Sequence, residues 1–250
     1  TALARGAKSG AVLSPAYAEH ARTARMAGLT MREVEHVSDL IAHDYVVVVN
    51  PNNPDGRIID RETLLRLADS MHRNGGLLVV DEAFIETGGA ESLADSVDRH
   101  ALVVLRSFGK FYGLAGIRLG FAIAHPDIAA GLEARLGPWA VSGPALHIAT
   151  EALADGTWQS AMRLRLADEA RCMNCLLEKA GLNGVGGTPL FTLVRDERAK
   201  ALFDHLGRLG ILVRIFDERP DDIRFGLPGN DAEWQRLQAA LLSFDHPSKV

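Results

Sequence analysis

The sequence predicts an α/β fold: a large domain on a mostly parallel sheet, followed by a small C-terminal α+β domain. Three observations predict it. The runs YVVVV (45–49), LLVV (77–80) and LVVL (102–105) are apolar without alternation, as expected of strands buried on both faces of a parallel sheet. Between the first two, ETLLRLADSMHRNGG places Leu64, Leu67, Ala68 and Met71 on one helical face, with Asp60 just ahead as an N-cap. Strand, helix and strand then recur in the rhythm of α/β proteins.

Ahead of these elements, GAVLS reads as a strand, and the turn-rich NPNNPDG follows the strand at 45–49. From about residue 130 the pattern turns mostly helical, with a long helix near 158–181. The small domain follows as strand LFTLV (190–194), helix RAKALFDHLGRLG, strand ILVRI (211–215), strand IRFGL (223–227) and a closing helix DAEWQRLQAALLSF. The expected division is 1–150 for the large domain and 151–250 for the small one, with no internal repeat. Because Thr1 is not an initiator methionine and a strand begins almost at once, the N-terminal part of the large domain is expected to be missing.

Composition bounds the function. A net charge of −5 and the lack of lysine/arginine blocks argue against a general nucleic-acid binder and a membrane-surface protein. No apolar stretch approaches ~18 residues, so no membrane span is expected, and no signal peptide opens the chain. The two cysteines, Cys172 and Cys175, make no disulfide framework, and a reducing cytoplasm is the expected location. The nine histidines show no metal-like spacing, so no metal is expected.

In open α/β sheets, ligands bind beyond the carboxyl ends of the strands. Three strand ends carry polar groups: Asn50-Pro-Asn-Asn53-Pro-Asp-Gly56, then Asp81-Glu-Ala-Phe84, then Ser107-Phe-Gly-Lys110 with Arg118 eight residues on. Each has a bland reading. The Asn/Pro-rich stretch could be only a turn. The acid pair after its apolar run has the form of a Walker-B strand, yet no G-x-x-x-x-G-K-[ST] loop exists in the chain. Ser107-x-x-Lys110 matches the first motif of penicillin-interacting serine enzymes, but neither S-D-N nor K-T-G is present. The lysine is distinctive: the chain holds 22 arginines and five lysines, and Lys110 is the only lysine between Lys8 and Lys179. Together these groups suit pyridoxal 5'-phosphate, which needs a lysine amine, an acid at its ring nitrogen, and hydroxyl and guanidinium donors for its phosphate. A partly desolvated amine is expected at Lys110.

On these residues the chain resembles the fold-type-I pyridoxal-phosphate enzymes of the aminotransferase superfamily, from SPAYAEH to IRFGLPG. The resemblance implies that Lys110 is the Schiff-base lysine and Asp81 the partner of the ring nitrogen. It also implies that Asn53 bonds the ring's 3-oxygen, that Ser107 and Arg118 hold the phosphate, and that Tyr17 stacks on the ring. Arg224 matches the arginine for the substrate carboxylate, while Arg214 is either a second substrate contact or a surface strand residue. The superfamily's Asn-Pro-Thr-Gly and Asp-Glu-Ala-Tyr are here Asn53-Pro54-Asp55-Gly56 and Asp81-Glu82-Ala83-Phe84. NPNNPDGR, DEAFIE, PWAVSGPAL and RFGLPG resemble the threonine-phosphate decarboxylase branch. The resemblance therefore implies decarboxylation of a small phosphorylated amino acid by a homodimer. Transamination of the histidinol-phosphate type and a non-catalytic, cofactor-binding regulatory domain are the alternatives.

Overall fold

The computed structural model describes residues 3–4, 6–99 and 101–245, and the chain divides into two compact units, Thr1–Gln159 and Ser160–Val250. Among the described residues the first unit contains six strands: β1 (Ser9–Leu13), β2 (Thr30–Val34), β3 (Tyr45–Val49), β4 (Leu77–Asp81), β5 (Leu102–Ser107) and β6 (Gly120–Ala124). They form one sheet in the order β2-β1-β3-β4-β5-β6, parallel throughout except that β6 runs antiparallel to β5. Among the described residues the α-helices that accompany it are α1 (Glu19–Met26), α2 (Arg61–Arg73), α3 (Pro126–Leu136) and α4 (Gly143–Ala154).

Alternation along each strand sends the apolar runs to two cores. Val46, Val48, Leu78, Val80, Leu102 and Val104 pack with Leu64, Leu67 and Met71 of α2. Val12, Val47, Val79 and Val103 pack on the other face with Ala21 and Ala24 of α1. Asp60 caps α2, accepting a 2.8 Å hydrogen bond from the Thr63 N–H. Because β1 is flanked by β2 on one side and β3 on the other, the connection reverses direction there. The carboxyl ends of β1 and β3 thus border the switch point where such sheets take ligands.

The second unit holds most of the long helix α5 (Gly156–Lys179) and an antiparallel sheet of order β7-β8-β10-β9. Its strands are β7 (Gly184–Thr188), β8 (Phe191–Arg195), β9 (Arg214–Phe216) and β10 (Arg219–Gly226), with α6 (Ala199–Arg208) and α7 (Asp231–Asp245). Strand β9 corrects the expectation at 211–215: pairing with β10 begins only at Arg214. Among the described residues no helix is long and apolar enough to cross a membrane.

One buried ionic cluster ties the ends of β4 and β5. Glu82 is fully buried; it accepts from the Ser92 hydroxyl and the Leu93 N–H, each at 2.7 Å, and lies 3.0 Å from Arg106 Nε. Arg106 also pairs with Glu86 and donates to Ser92 Oγ at 2.9 Å. Burial pushes the Glu82 carboxyl up, against the pull of Leu93, Ser92 and Arg106.

Two consequences are measurable by urea denaturation. Leu102→Ala, at a fully buried site, lowers stability by about 3 kcal/mol, whereas Leu153→Ala, half-exposed on α4, changes it by under about 0.5 kcal/mol. The folded chain holds the Glu82 proton more tightly than the unfolded chain does. Stability from this group is therefore present below its ordinary value of 4.5 and lost as pH rises through the raised value. The stability of the natural chain minus that of Glu82→Gln falls as pH climbs from 4.5 through the raised value; a difference that grows instead would refute the assignment.

Candidate active site

The three predicted strand ends lie side by side. Strands β3, β4 and β5 are consecutive in the sheet, with Val49 opposite Asp81 and Asp81 opposite Leu105. After β3, Asn50 is buried and spans the turn, donating through its amide to the Ile59 carbonyl (3.1 Å) and accepting from the Ile59 N–H (2.9 Å). Asn52, also buried, donates to the Pro15 carbonyl and to Asp55 Oδ1, both at 2.7 Å. Asp55 also accepts from the Arg57 N–H at 3.0 Å, so its carboxylate closes the turn. Asn53, half-buried, sits between these two structural residues.

Asp81 ends β4 with both carboxylate oxygens engaged. Oδ1 accepts from the Ala83 N–H at 2.9 Å, and His20 Nε2 donates to Oδ2 at 2.7 Å. The two side chains are only about 15% exposed, so this hydrogen bond is shielded from solvent. His20 stands in the first turn of α1, and Tyr17, three residues earlier, meets it edge-on with ring centroids 5.8 Å apart. Tyr17 is half-exposed, leaving ring surface open. His20 escaped the sequence reading: Tyr17 lies ahead of α1, so no helical spacing links the two, and the partner of His20 is 61 residues away.

Lys110 follows β5 in a tight loop. The Gly113 N–H donates to the Lys110 carbonyl (3.0 Å), and the Leu114 N–H to the Phe108 carbonyl (3.1 Å). Phe108, Phe111 and Tyr112 are buried beneath it, Phe108 stacked on Tyr112 with centroids 4.4 Å apart. Lys110 itself is exposed, which corrects the expectation of a partly desolvated amine. Its Nζ lies 5.8 Å from the centroid of the buried Phe84 ring, within cation–π range. The residue replacing tyrosine thus faces the lysine.

Ser107 ends β5 and accepts from the Gly109 N–H at 3.2 Å. Gly109 permits a close approach: a Cβ there would lie 3.2 Å from the Ala115 Cα, so the lysine loop rests against the turn 115–117. Arg118 ends that turn in the left-handed region, φ 55° and ψ 44°, and donates to the Ala115 carbonyl at 3.2 Å. Strained non-glycine backbone of this kind costs about 1–3 kcal/mol and clusters at functional sites. In the second unit, Arg214 of β9 stands directly opposite Arg224 of β10. Arg224 is half-buried with its guanidinium 4.8 Å from the Phe191 ring centroid; burial and the Arg214 charge both push its pKa down.

The donor set of the first unit fits pyridoxal phosphate. Lys110 could hold its aldehyde carbon, Asp81 with His20 its ring nitrogen, and Ser107 with Arg118 its phosphate. A carboxylate already oriented by a histidine and an N–H favours a protonated ring nitrogen. Asn53 and Tyr17 border the same switch point.

The chain matches the model of the family "Aminotransferase class I and II" over residues 2–241. It is 46% identical over 247 residues to the threonine-phosphate decarboxylase of Pseudomonas aeruginosa, covering 98% of this chain and 74% of that protein. To the chloroplastic histidinol-phosphate aminotransferase of Nicotiana tabacum it is 32% identical over 195 residues, 75% of this chain and 46% of that one. The structure superposes with TM-score 0.84 on the histidinol-phosphate aminotransferase of Sinorhizobium meliloti solved in complex with pyridoxal-5'-phosphate, at 26% identity, covering 95% of this chain and 70% of that one. With one family model spanning nearly its whole length, the chain belongs to the class I and II aminotransferase family.

Proposed function

We propose that the protein is a pyridoxal-phosphate-dependent lyase that decarboxylates L-threonine O-3-phosphate to (R)-1-amino-2-propanol O-2-phosphate in cobalamin biosynthesis. The observation that carries this reading is the 46% identity to a threonine-phosphate decarboxylase along 98% of the chain, against 32% along 75% for a histidinol-phosphate aminotransferase. Phe84 in place of tyrosine, facing Lys110, supports the same branch.

Pyridoxal phosphate, when bound, supplies an electron sink for the pair released as the bond to the substrate carboxylate breaks. The chain's residues bind, orient and move protons. Lys110 anchors the cofactor through its amine and returns a proton to the substrate's α-carbon after carbon dioxide leaves. Asp81 keeps a proton at the ring nitrogen, and His20 holds Asp81 in place. Asn53 donates to the ring's 3-oxygen, Tyr17 covers a ring face, and Ser107 and Arg118 grip the phosphate.

Arg224 takes the substrate carboxylate and Arg214 assists with carboxylate or phosphate. Two guanidiniums opposite one another in antiparallel strands repel, an arrangement that an anionic ligand would relieve.

We also propose a cytoplasmic location, supported by two exposed free cysteines. The protein is also proposed to form a homodimer. Supporting this, Phe121 on the edge strand β6, Leu136, Trp139 (93% exposed) and Leu146 are large apolar side chains left exposed on the first unit.

Incubation with threonine phosphate and pyridoxal phosphate should release carbon dioxide, and Lys110→Ala should lower that rate at least about a thousandfold and remove the visible absorbance of the bound cofactor. Amino transfer from histidinol phosphate to 2-oxoglutarate without carbon dioxide would replace this reading with transamination. Sedimentation equilibrium should give twice the chain mass of 27.0 kDa.

A further inference from the structure

Strand β5 ends in the polar pair Arg106-Ser107, and β4 ends at Asp81 with Glu82 just beyond it. Successive side chains of a strand point to opposite faces, and partners in parallel register share a face. Asp81 is in register with Leu105, so Glu82 and Arg106 fall on one face and Asp81 and Ser107 on the other. The contacts agree: Glu82 meets Arg106, while Asp81 meets His20. Among the described residues, the last ladder bond between the strands runs from the Glu82 N–H to the Leu105 carbonyl at 2.9 Å. Past that point the ionic cluster joins the two chain segments.

We propose that Arg106 is a positioning residue: by bridging Glu82 and Glu86 it fixes the end of β4 against that of β5, and so sets the spacing of Asp81 from the Ser107–Lys110 segment. The inference rests on the cofactor reading above. Stability alone does not account for so buried a cluster, because apolar groups of similar volume often serve as well or better. What the cluster supplies is geometry. The planar fork of an arginine reaches Glu82, Glu86 and the Ser92 hydroxyl together, which a lysine ammonium cannot do in the same arrangement. Ser92 and Leu93, bonded to the same Glu82 carboxylate, bring the following loop into the lock.

The test measures pyridoxal phosphate affinity and the position of the bound-cofactor absorbance band in the natural chain, Arg106→Lys, Glu86→Gln and Arg61→Lys, with thermal midpoints alongside. Arg61 holds the same loop through Ser92, Asp95 and Ser96 but touches neither strand end, so it controls for simple loosening. The expected result is at least about tenfold weaker binding and a displaced band for Arg106→Lys, and a few-fold loss for Glu86→Gln. Arg61→Lys should bind within about twofold of the natural chain even where its thermal midpoint falls. If Arg106→Lys fails to fold, Glu86→Gln decides. Natural affinity in Arg106→Lys or, failing that, in Glu86→Gln overturns the positioning role, as does an equal loss in Arg61→Lys. A natural chain that takes up no cofactor overturns instead the reading on which the inference rests.

Discussion

Burial of the valine- and leucine-rich strands on both faces is the constraint that the first unit depends on. Tyr45 to Val49, Leu78 to Val80 and Leu102 to Val104 are all buried, so the sheet interior has no place for an unpaired polar group. Polar side chains therefore emerge where the strands end. Parallel strands bring their carboxyl ends to one edge, so three separate stretches of sequence deliver an amide, a carboxylate, and a hydroxyl with an amine to adjacent positions. The site is a by-product of how the core must be built.

The same constraint separates two neighbouring carboxylates. Asp81 faces the α1 side, where His20 and the Ala83 N–H orient it and 14% of its side chain still meets solvent. Glu82 faces the other way, has no solvent, and is held by Arg106, Ser92 and Leu93. A carboxylate kept within reach of a ligand and one sealed behind it differ only in strand parity. Across the gap Lys110 sits over Phe84 rather than over a hydroxyl, so that neighbour gives the amine an attractive ring face and no hydrogen-bond acceptor.

Much of this was legible in the sequence, for a physical reason: uninterrupted apolar runs and a capped amphipathic helix announce themselves. β3, β4, β5 and α2 therefore fall where the pattern placed them, as do Asp81, Ser107 and Lys110 at the strand ends. The elements that escaped are those whose environment is mixed. β2, TMREV, lies at the sheet edge and is largely exposed, so it shows charge where a buried strand shows valine. β6, GFAIA, is an exposed edge strand, and β7, GVGGT, is mostly glycine. His20 escaped because its partner lies 61 residues away, and pairing over that distance leaves no local pattern. Glu82 and Arg106 escaped likewise: a DE pair and an RS pair give no sign in sequence of which face each side chain takes.

The departures from the family's usual wording acquire local causes from the contacts. Asp55, where threonine is usual, uses one carboxylate oxygen to hold both Asn52 and the Arg57 N–H. That fixes the amide of Asn52 on Pro15 and ties the turn after β3 to the segment after β1, across the switch point. Arg57 adds a second tie through its guanidinium to the Ser14 carbonyl at 3.2 Å. Tyr17 and His20 follow that anchored segment directly, so Asp55 takes part in fixing the frame from which His20 reaches Asp81. The turn after β3 and the carboxylate after β4 are thus coupled through the chain after β1. A change at Asp55 should be felt at Asp81 before it is felt anywhere in the core.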